Sequence, residues 1–223
     1  MSMVTAADAA AQLGVTRRRI AELWGAGDLR GRKYSSGLLI ELSSVHERQA
    51  IGPIEGRPWA EDVVWGVITS LSGAEAGSNA EVRRRIASND ALSLGRRIAA
   101  AVITARFDAR RPDLVRDALA LTGESALDRL HERSTVRVVG DSNMIHGYAP
   151  AGIDAVISQY DLIESLTGEI IVHGFRSGEP RVHGATPLAL VAADCLRSPN
   201  TRVRRAGLDA IERMRTAWQT SGT

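Results

Sequence analysis

Residues 5–41 read TAADAAAQLGVTRRRIAELWGAGDLRGRKYSSGLLIE, and the organisation of the chain follows from them. Thr5, with Asp8 three residues on, marks a helix N-terminus, and Ala6 to Leu13 form a short alanine-rich helix stopped by Gly14. Thr16 caps a second helix. There Ile20, Leu23 and Trp24 recur at i, i+3 and i+4, so one face docks on the first helix while Arg17, Arg18, Ala21 and Glu22 point away, with Arg19 at the boundary. Gly25 and Gly27 end that helix. Leu29, the basic RGRKY, a Ser35-Ser36-Gly37 turn and the apolar LLIEL then predict a β-hairpin, and Ser43 or Ser44 caps a third helix through Val45 and Gln49.

Two helices joined by a glycine turn and followed by a basic hairpin describe a winged helix-turn-helix, whose second helix enters the major groove of DNA. Arg17 and Arg18 stand at the exposed start of that helix, where an arginine fork pairs with guanine O6 and N7. Arg30, Arg32 and Lys33 on the hairpin are placed for phosphates. The candidate DNA-binding set is Thr16, Arg17, Arg18, Arg19, Arg30, Arg32, Lys33 and Tyr34. Any one of these arginines could equally be solvated or ion-paired; their joint placement favours DNA. Residues 4 to about 49 resemble the small winged-helix domain of excisionases and MerR-type regulators. The resemblance rests on Ala6-Ala7-Asp8-Ala9-Ala10, Leu13 through Ile20, Leu23, Gly27-Asp28-Leu29, a hairpin ending in Ile40, and Ser44-Val45.

The charge balance points the same way. The chain has 223 residues and a net charge of +2, with Lys33 its only lysine. Residues 16–33 hold six basic side chains against two acidic, a net +4, so the remainder carries −2. A positive module on a mildly acidic body suits a polyanionic partner at one end. With 44% hydrophobic and 24% charged residues the composition is that of an ordinary globular protein. No apolar run approaches the ~18 residues a membrane helix needs, and the opening residues carry no leader pattern, so a soluble cytoplasmic protein without membrane partners is expected. One cysteine, Cys195, excludes an intrachain disulfide and cysteine-rich metal domains.

Beyond the first module, which spans residues 1–50, the stretch IGPIEGRP (51–58) reads as a linker, with two prolines and two glycines. Residues 59–134 read as a helical middle segment, with helices at 60–72, 79–88, 92–105 and 112–121, although the VIT at 102–104 could be strand. Residues 135–223 read as an α+β domain. Its strands are TVRVV, MIHGYA and EIIVHGF, its helices AGIDAVISQY, a segment starting at Pro187 behind a Thr186 cap, and a last one from about Asn200 to Trp218. The expected fold class is therefore α+β, mainly helical. Trp59 and Trp65 are core anchors, and Arg83-Arg84-Arg85 form a solvated face, with a second DNA contact as the alternative. In the last helix Val203, Gly207, Ile211, Met214 and Trp218 form a stripe that packs internally or, alternatively, in a homodimer.

Arg57-Pro58-Trp59, Tyr148-Ala149-Pro150 leading into Ile153 to Tyr160, and Pro187 to Asp194 followed by Ser198-Pro199-Asn200, Arg202 and Arg205-Ala206-Gly207 resemble actinobacterial AbiEi-type proteins over roughly 57–215. These are antitoxin partners of nucleotidyltransferase-like toxins. The resemblance implies an antitoxin that represses its own operon; a stand-alone transcription factor or excisionase is the alternative.

Enzymatic motifs are weak. Gly140-Asp141-Ser142 echoes the nucleophile block of SGNH-type hydrolases, but no D-x-x-H follows it, and Gly140 to Asn143 reads better as a turn. His146, His173 and His183 with Cys195 match no short metal-ligand spacing and read as polar tips of strands. Lys33 follows an arginine and so fits no P-loop. No catalytic residue, metal or cofactor is expected.

Overall fold

A computed structural model describes residues 3–54, 56–73, 79–130, 144–165 and 167–221. The chain starts with β1 (Met3–Thr5), α1 (Ala6–Leu13) and α2 (Arg17–Gly25), then β2 (Gly31–Tyr34), β3 (Gly37–Glu41) and α3 (Leu42–Ile51). The local chemistry of the caps sets these boundaries. Thr5 Oγ1 accepts from Asp8 N at 3.2 Å and Asp8 Oδ2 accepts from Thr5 N at 3.3 Å, a reciprocal capping box. Gly14 ends α1 at φ 64°, and the Thr16 hydroxyl accepts from Arg19 N to start α2. Leucines and isoleucines then close a small core of Ala9, Ile20, Leu23, Leu29, Ile40 and Val45. The strands form an antiparallel sheet in the order β1-β3-β2, with Val4 opposite Ile40 and Arg32 opposite Leu39.

The serines after the hairpin behave differently from expectation. Glu41, not Ser43 or Ser44, occupies the N-cap position of α3 and makes no side-chain cap. The Ser44 hydroxyl is buried instead, donating to Glu41 O at 2.8 Å and accepting from Arg30 N at 3.2 Å, which fastens the two strands at the hairpin base.

The body contains α4 (Glu61–Leu71), α5 (Ala80–Ser88), α6 (Ala91–Ala101), β4 (Val102–Asp108), α7 (Pro112–Ala118), β5 (Ala120–Leu121) and a 3₁₀ helix (Gly123–Leu130). It continues with β6 (Ile145–Tyr148), α8 (Ile153–Tyr160), β7 (Ile163–Glu164), β8 (Ile170–Phe175), α9 (Leu188–Cys195) and α10 (Thr201–Ser221). Its five strands lie in the order β5-β6-β8-β4-β7, with β6 and β8 parallel. The strand alternative for VIT is the one adopted: β4 runs antiparallel to β8 from Val102↔Phe175 to Phe107↔Ile170. The middle and C-terminal segments thus share one sheet rather than standing apart. Helix α7 stops before residue 121 because Ala120 and Leu121 are drawn into pairing with Tyr148 and Gly147. TVRVV and the Gly140-to-Asn143 turn lie outside the described residues.

Helix α9 is buried along its length, and α10 lays Val203, Gly207 and Ile211 into the same core, with Met214 and Trp218 packed against it. The stripe on α10 is therefore used internally. Trp65 meets Phe175 edge-on at 5.6 Å, and Trp59 packs against the same core. Thr186 does not cap α9; its buried hydroxyl donates to Ala120 O, tying the segment before the helix to β5. Among the described residues, no helix is long and apolar enough to cross a membrane.

At Gly207 the backbone of α10 comes close against α9. A Cβ there would sit 2.8 Å from Cys195 Cβ and closer still to Ala192 O. Replacing Gly207 with Ala gains up to about 1 kcal/mol of helix propensity but overpacks the contact by ~1–3 kcal/mol. The expected result is a net loss, read as a lower urea midpoint.

Candidate nucleic-acid interface and its joint with the body

The structure separates the eight candidate residues into two groups. Thr16 is exposed and its hydroxyl is engaged in capping α2. Arg17, Lys33 and Tyr34 are exposed, and neither Arg17 nor Lys33 has an ion-pair partner among the described residues. Arg18, 90% exposed, and Arg19 share Glu22 at 3.2 and 3.1 Å, and their hydrogen bonds, Arg19 first, hold its carboxyl below the usual range. Such exposed i,i+3 and i,i+4 pairs are weak and readily exchanged for a phosphate or a base. Arg32 reaches Glu164 O of β7 at 3.4 Å, so one side of the hairpin leans on the body. The far end of α2 is tied down as well: Arg176 donates to Ala26 O at 2.6 Å and pairs with Asp28.

Arg30 falls outside this surface, contrary to its expected phosphate role. Its side chain is 9% exposed, with Nε 2.8 Å from Glu41 Oε2, Nη2 2.6 Å from Glu47 Oε1 and Nη1 2.5 Å from Thr104 Oγ1. Burial alone would raise the Glu47 carboxyl; the adjacent Arg30 guanidinium overcomes this and brings it to about 2. Glu41, 1% exposed, also accepts from Arg106 Nη1 of β4 at 3.0 Å, and Arg106 Nε donates to Gly168 O at 2.5 Å. The hairpin base is thus joined to the body by a buried arginine–carboxylate–arginine triad.

Next to the triad lies a cavity of about 320 Å³, lined by Ser43 and Glu47 from the first module and by Thr104, Arg106, His146 and His173 from the body. His146 Nδ1 and His173 Nε2 are 3.3 Å apart, and Asp194 stands behind His173. Asp194 Oδ2 accepts from Thr122 Oγ1 at 2.7 Å and Tyr148 Oη at 2.9 Å. Its Oδ1 lies 3.4 Å from His173 Nδ1 and 3.8 Å from Arg197 Nε, close enough for attraction, but no directed hydrogen bond forms there. The two histidines are therefore not isolated strand tips, whereas His183 is exposed on a loop and Cys195 is a core residue whose thiol burial pushes well up. Among the described residues, no group of three or more His, Cys, Asp or Glu is placed to hold a metal ion.

Sequence reasoning passed over Asp194, Glu41 and Glu47. A signal for Asp194 was present: it is the single charge in LALVAADCL, and a charge in a fully buried helix must be paired.

Removing Glu41 as Ala leaves Arg30 and Arg106 buried without their shared carboxylate, for an expected loss of about 3–5 kcal/mol in urea unfolding. Lys33→Ala should stay within about 0.5 kcal/mol. A second expectation concerns pH. Burial, with His173 next, lowers His146 from 6.5 to about 3, so in that window the unfolded chain binds a proton that the folded one refuses. Stability is complete above 6.5 and falls as pH drops, with Glu47 adding a further loss from 4.5 towards about 2. His146→Asn should flatten the urea midpoint profile between pH 6.5 and 4.5 and leave the more acidic limb. No family model, curated protein or solved structure matches this chain.

Proposed function

We propose that this protein is a sequence-specific DNA-binding regulator whose first fifty residues act as a winged helix-turn-helix, α2 reading base edges and the β2–β3 hairpin holding the backbone. The observation that carries this reading is the split within the cationic set. Arg17 and Arg18 at the start of α2, with Lys33 and Tyr34 near the hairpin tip, are exposed and clear of the body, while the opposite end of α2 is anchored by Arg176. In helix-turn-helix proteins the N-terminal residues of the second helix contact base edges, the end of α2 that is free here. The hairpin grips with Arg32 and Lys33, not with Arg30, which is committed to Glu41 and Glu47. The specific form taken from the family resemblance is an autorepressing antitoxin that counteracts a nucleotidyltransferase-like toxin through the body. A nucleotidyltransferase gene directly downstream supports that form; its absence favours a stand-alone regulator.

Fluorescence anisotropy of the full chain on the duplex upstream of its own gene tests the DNA reading. Arg17→Ala or Arg18→Ala should cost ~1–3 kcal/mol on the cognate site and much less on unrelated DNA. Arg32→Ala or Lys33→Ala should weaken binding to all sequences and reduce the salt slope by about one unit each. Equal losses on all DNA from all four changes would overturn the division of labour. Failure of the unaltered chain to bind any duplex at low ionic strength would overturn the function.

A further inference from the structure

A second, larger cavity of about 530 Å³ opens between α2 and α3 of the first module and α4 and α6 of the body, with Ile54, Gly56 and Pro58 between them also lining it. Its apolar wall includes Ile51, Ile54, Trp59, Val64 and Ala100, and its polar rim is rich in arginine. Each carboxylate among its described lining residues is already taken. Glu22 is shared by Arg18 and Arg19, Asp28 is held by Arg176, and Glu61 by Arg181 at 3.0 Å together with the Ser177 backbone and hydroxyl. Arg197, also on the rim, donates to Ala99 O and to Val102 O at 2.7 Å.

Arg48 differs from its neighbours. It is half-buried in the last turn of α3, and its one hydrogen bond among the described residues is from Nη1 to Gly52 O at 2.8 Å. A guanidinium offers five N–H donors, so most of its capacity faces the cavity unclaimed by any carboxylate. Burial disfavours its charge; Asp28 offsets part of this, and Arg19, Arg197 and Arg176 add to the strain. Trp59 Nε1 is buried without a hydrogen-bond partner, and the guanidinium groups of Arg85 and Arg97 lie over its ring at 5.1 and 4.7 Å. An apolar hollow of drug-like volume with an uncompensated cation at its edge is the usual form of a small-molecule site.

We propose that this cleft binds a small organic anion, its single carboxylate-type head held by Arg48 and its apolar body lying against Ile51, Ile54, Val64 and Trp59. The cleft adjoins the proposed DNA surface at Arg19, which lines it, and its ligand touches both the first module, through Arg48, and the body, through Trp59.

The test is isothermal titration of the full chain, without DNA, using octanoate and indole-3-acetate as probes and octanamide and indole-3-acetamide as neutral counterparts. At least one acid should bind saturably and its amide at least about tenfold more weakly, the value of one charge-assisted hydrogen-bond pair. Arg48→Gln should lose a similar factor for the acid and little for the amide. Amides that bind as tightly as acids, an Arg48→Gln chain that binds like the unaltered one, or no binding of either acid at millimolar concentration would each overturn the proposal. Should Arg48→Gln fail to fold, the acid–amide comparison on the unaltered chain still decides. Because no DNA is present, the outcome is independent of the DNA-binding test.

Discussion

The relation between the two halves of this protein depends on one buried carboxylate. Glu41 sits at the end of β3 and accepts from Arg30 of its own module and from Arg106 of β4 in the body. Taking three charges out of water is costly, and a triad of this kind offers little net stability over apolar side chains of similar volume. What it does offer is directionality. An apolar contact tolerates sliding, whereas two guanidinium groups sharing one carboxylate fix both the distance and the angle at which the hairpin base meets β4. Ser44 at the strand base and Gly168 behind Arg106 satisfy neighbouring polar groups, so the charges are buried within a hydrogen-bonded network.

This explains why the basic count of the first module overstates its free charge. Six cations between residues 16 and 33 suggest a uniformly adhesive surface. In the folded chain Arg30 is consumed internally and Arg18 and Arg19 share Glu22, leaving Arg17, Arg32 and Lys33 as the cations without an ion-pair partner among the described residues, Arg32 donating only to the Glu164 carbonyl. On the proposed DNA-binding reading, a surface with few unpaired cations produces a modest non-specific attraction, so discrimination would come from the geometry of α2 and not from electrostatics alone.

Local chemistry was legible in the sequence and long-range pairing was not. Thr5, Gly14 and Thr16 set helix ends through groups within three or four residues, and α1 begins and ends, and α2 begins, where those residues place them. The apolar stripe of α10 was equally readable, because a period of three to four residues is itself the signal. Ser44 and Thr186 misled for the opposite reason. Each has a hydroxyl in a plausible cap position, yet tertiary partners fourteen and sixty-six residues away outcompete the local backbone N–H groups. The histidine pair, Asp194 and the Glu41 triad depend on the register of β4, β6 and β8, which no local pattern encodes. The pairing of β4 with β8 was hidden for the same reason, since β4 carries mostly apolar residues that read as a helix end until β8 is set beside them.

The joint also constrains how a ligand in the larger cleft could act on the first module. Displacing that module would unpair Arg106 from Glu41 and break the Arg30–Thr104 hydrogen bond, and a buried charge stripped of its partner costs several kcal/mol. A ligand can shift such an equilibrium only by its differential affinity for the two arrangements. An anion held by Arg48 on one side and by the Trp59 wall on the other makes its full set of contacts only while module and body are docked, so its binding favours the docked state. The cleft and the smaller cavity share Arg197, whose guanidinium binds the Ala99 and Val102 carbonyls and faces Asp194 behind His173. Under the two proposals, occupation of the cleft would stiffen a structure already tied by Glu41, and any effect on DNA binding would come from limiting the motion of α2 and the hairpin, not from releasing them.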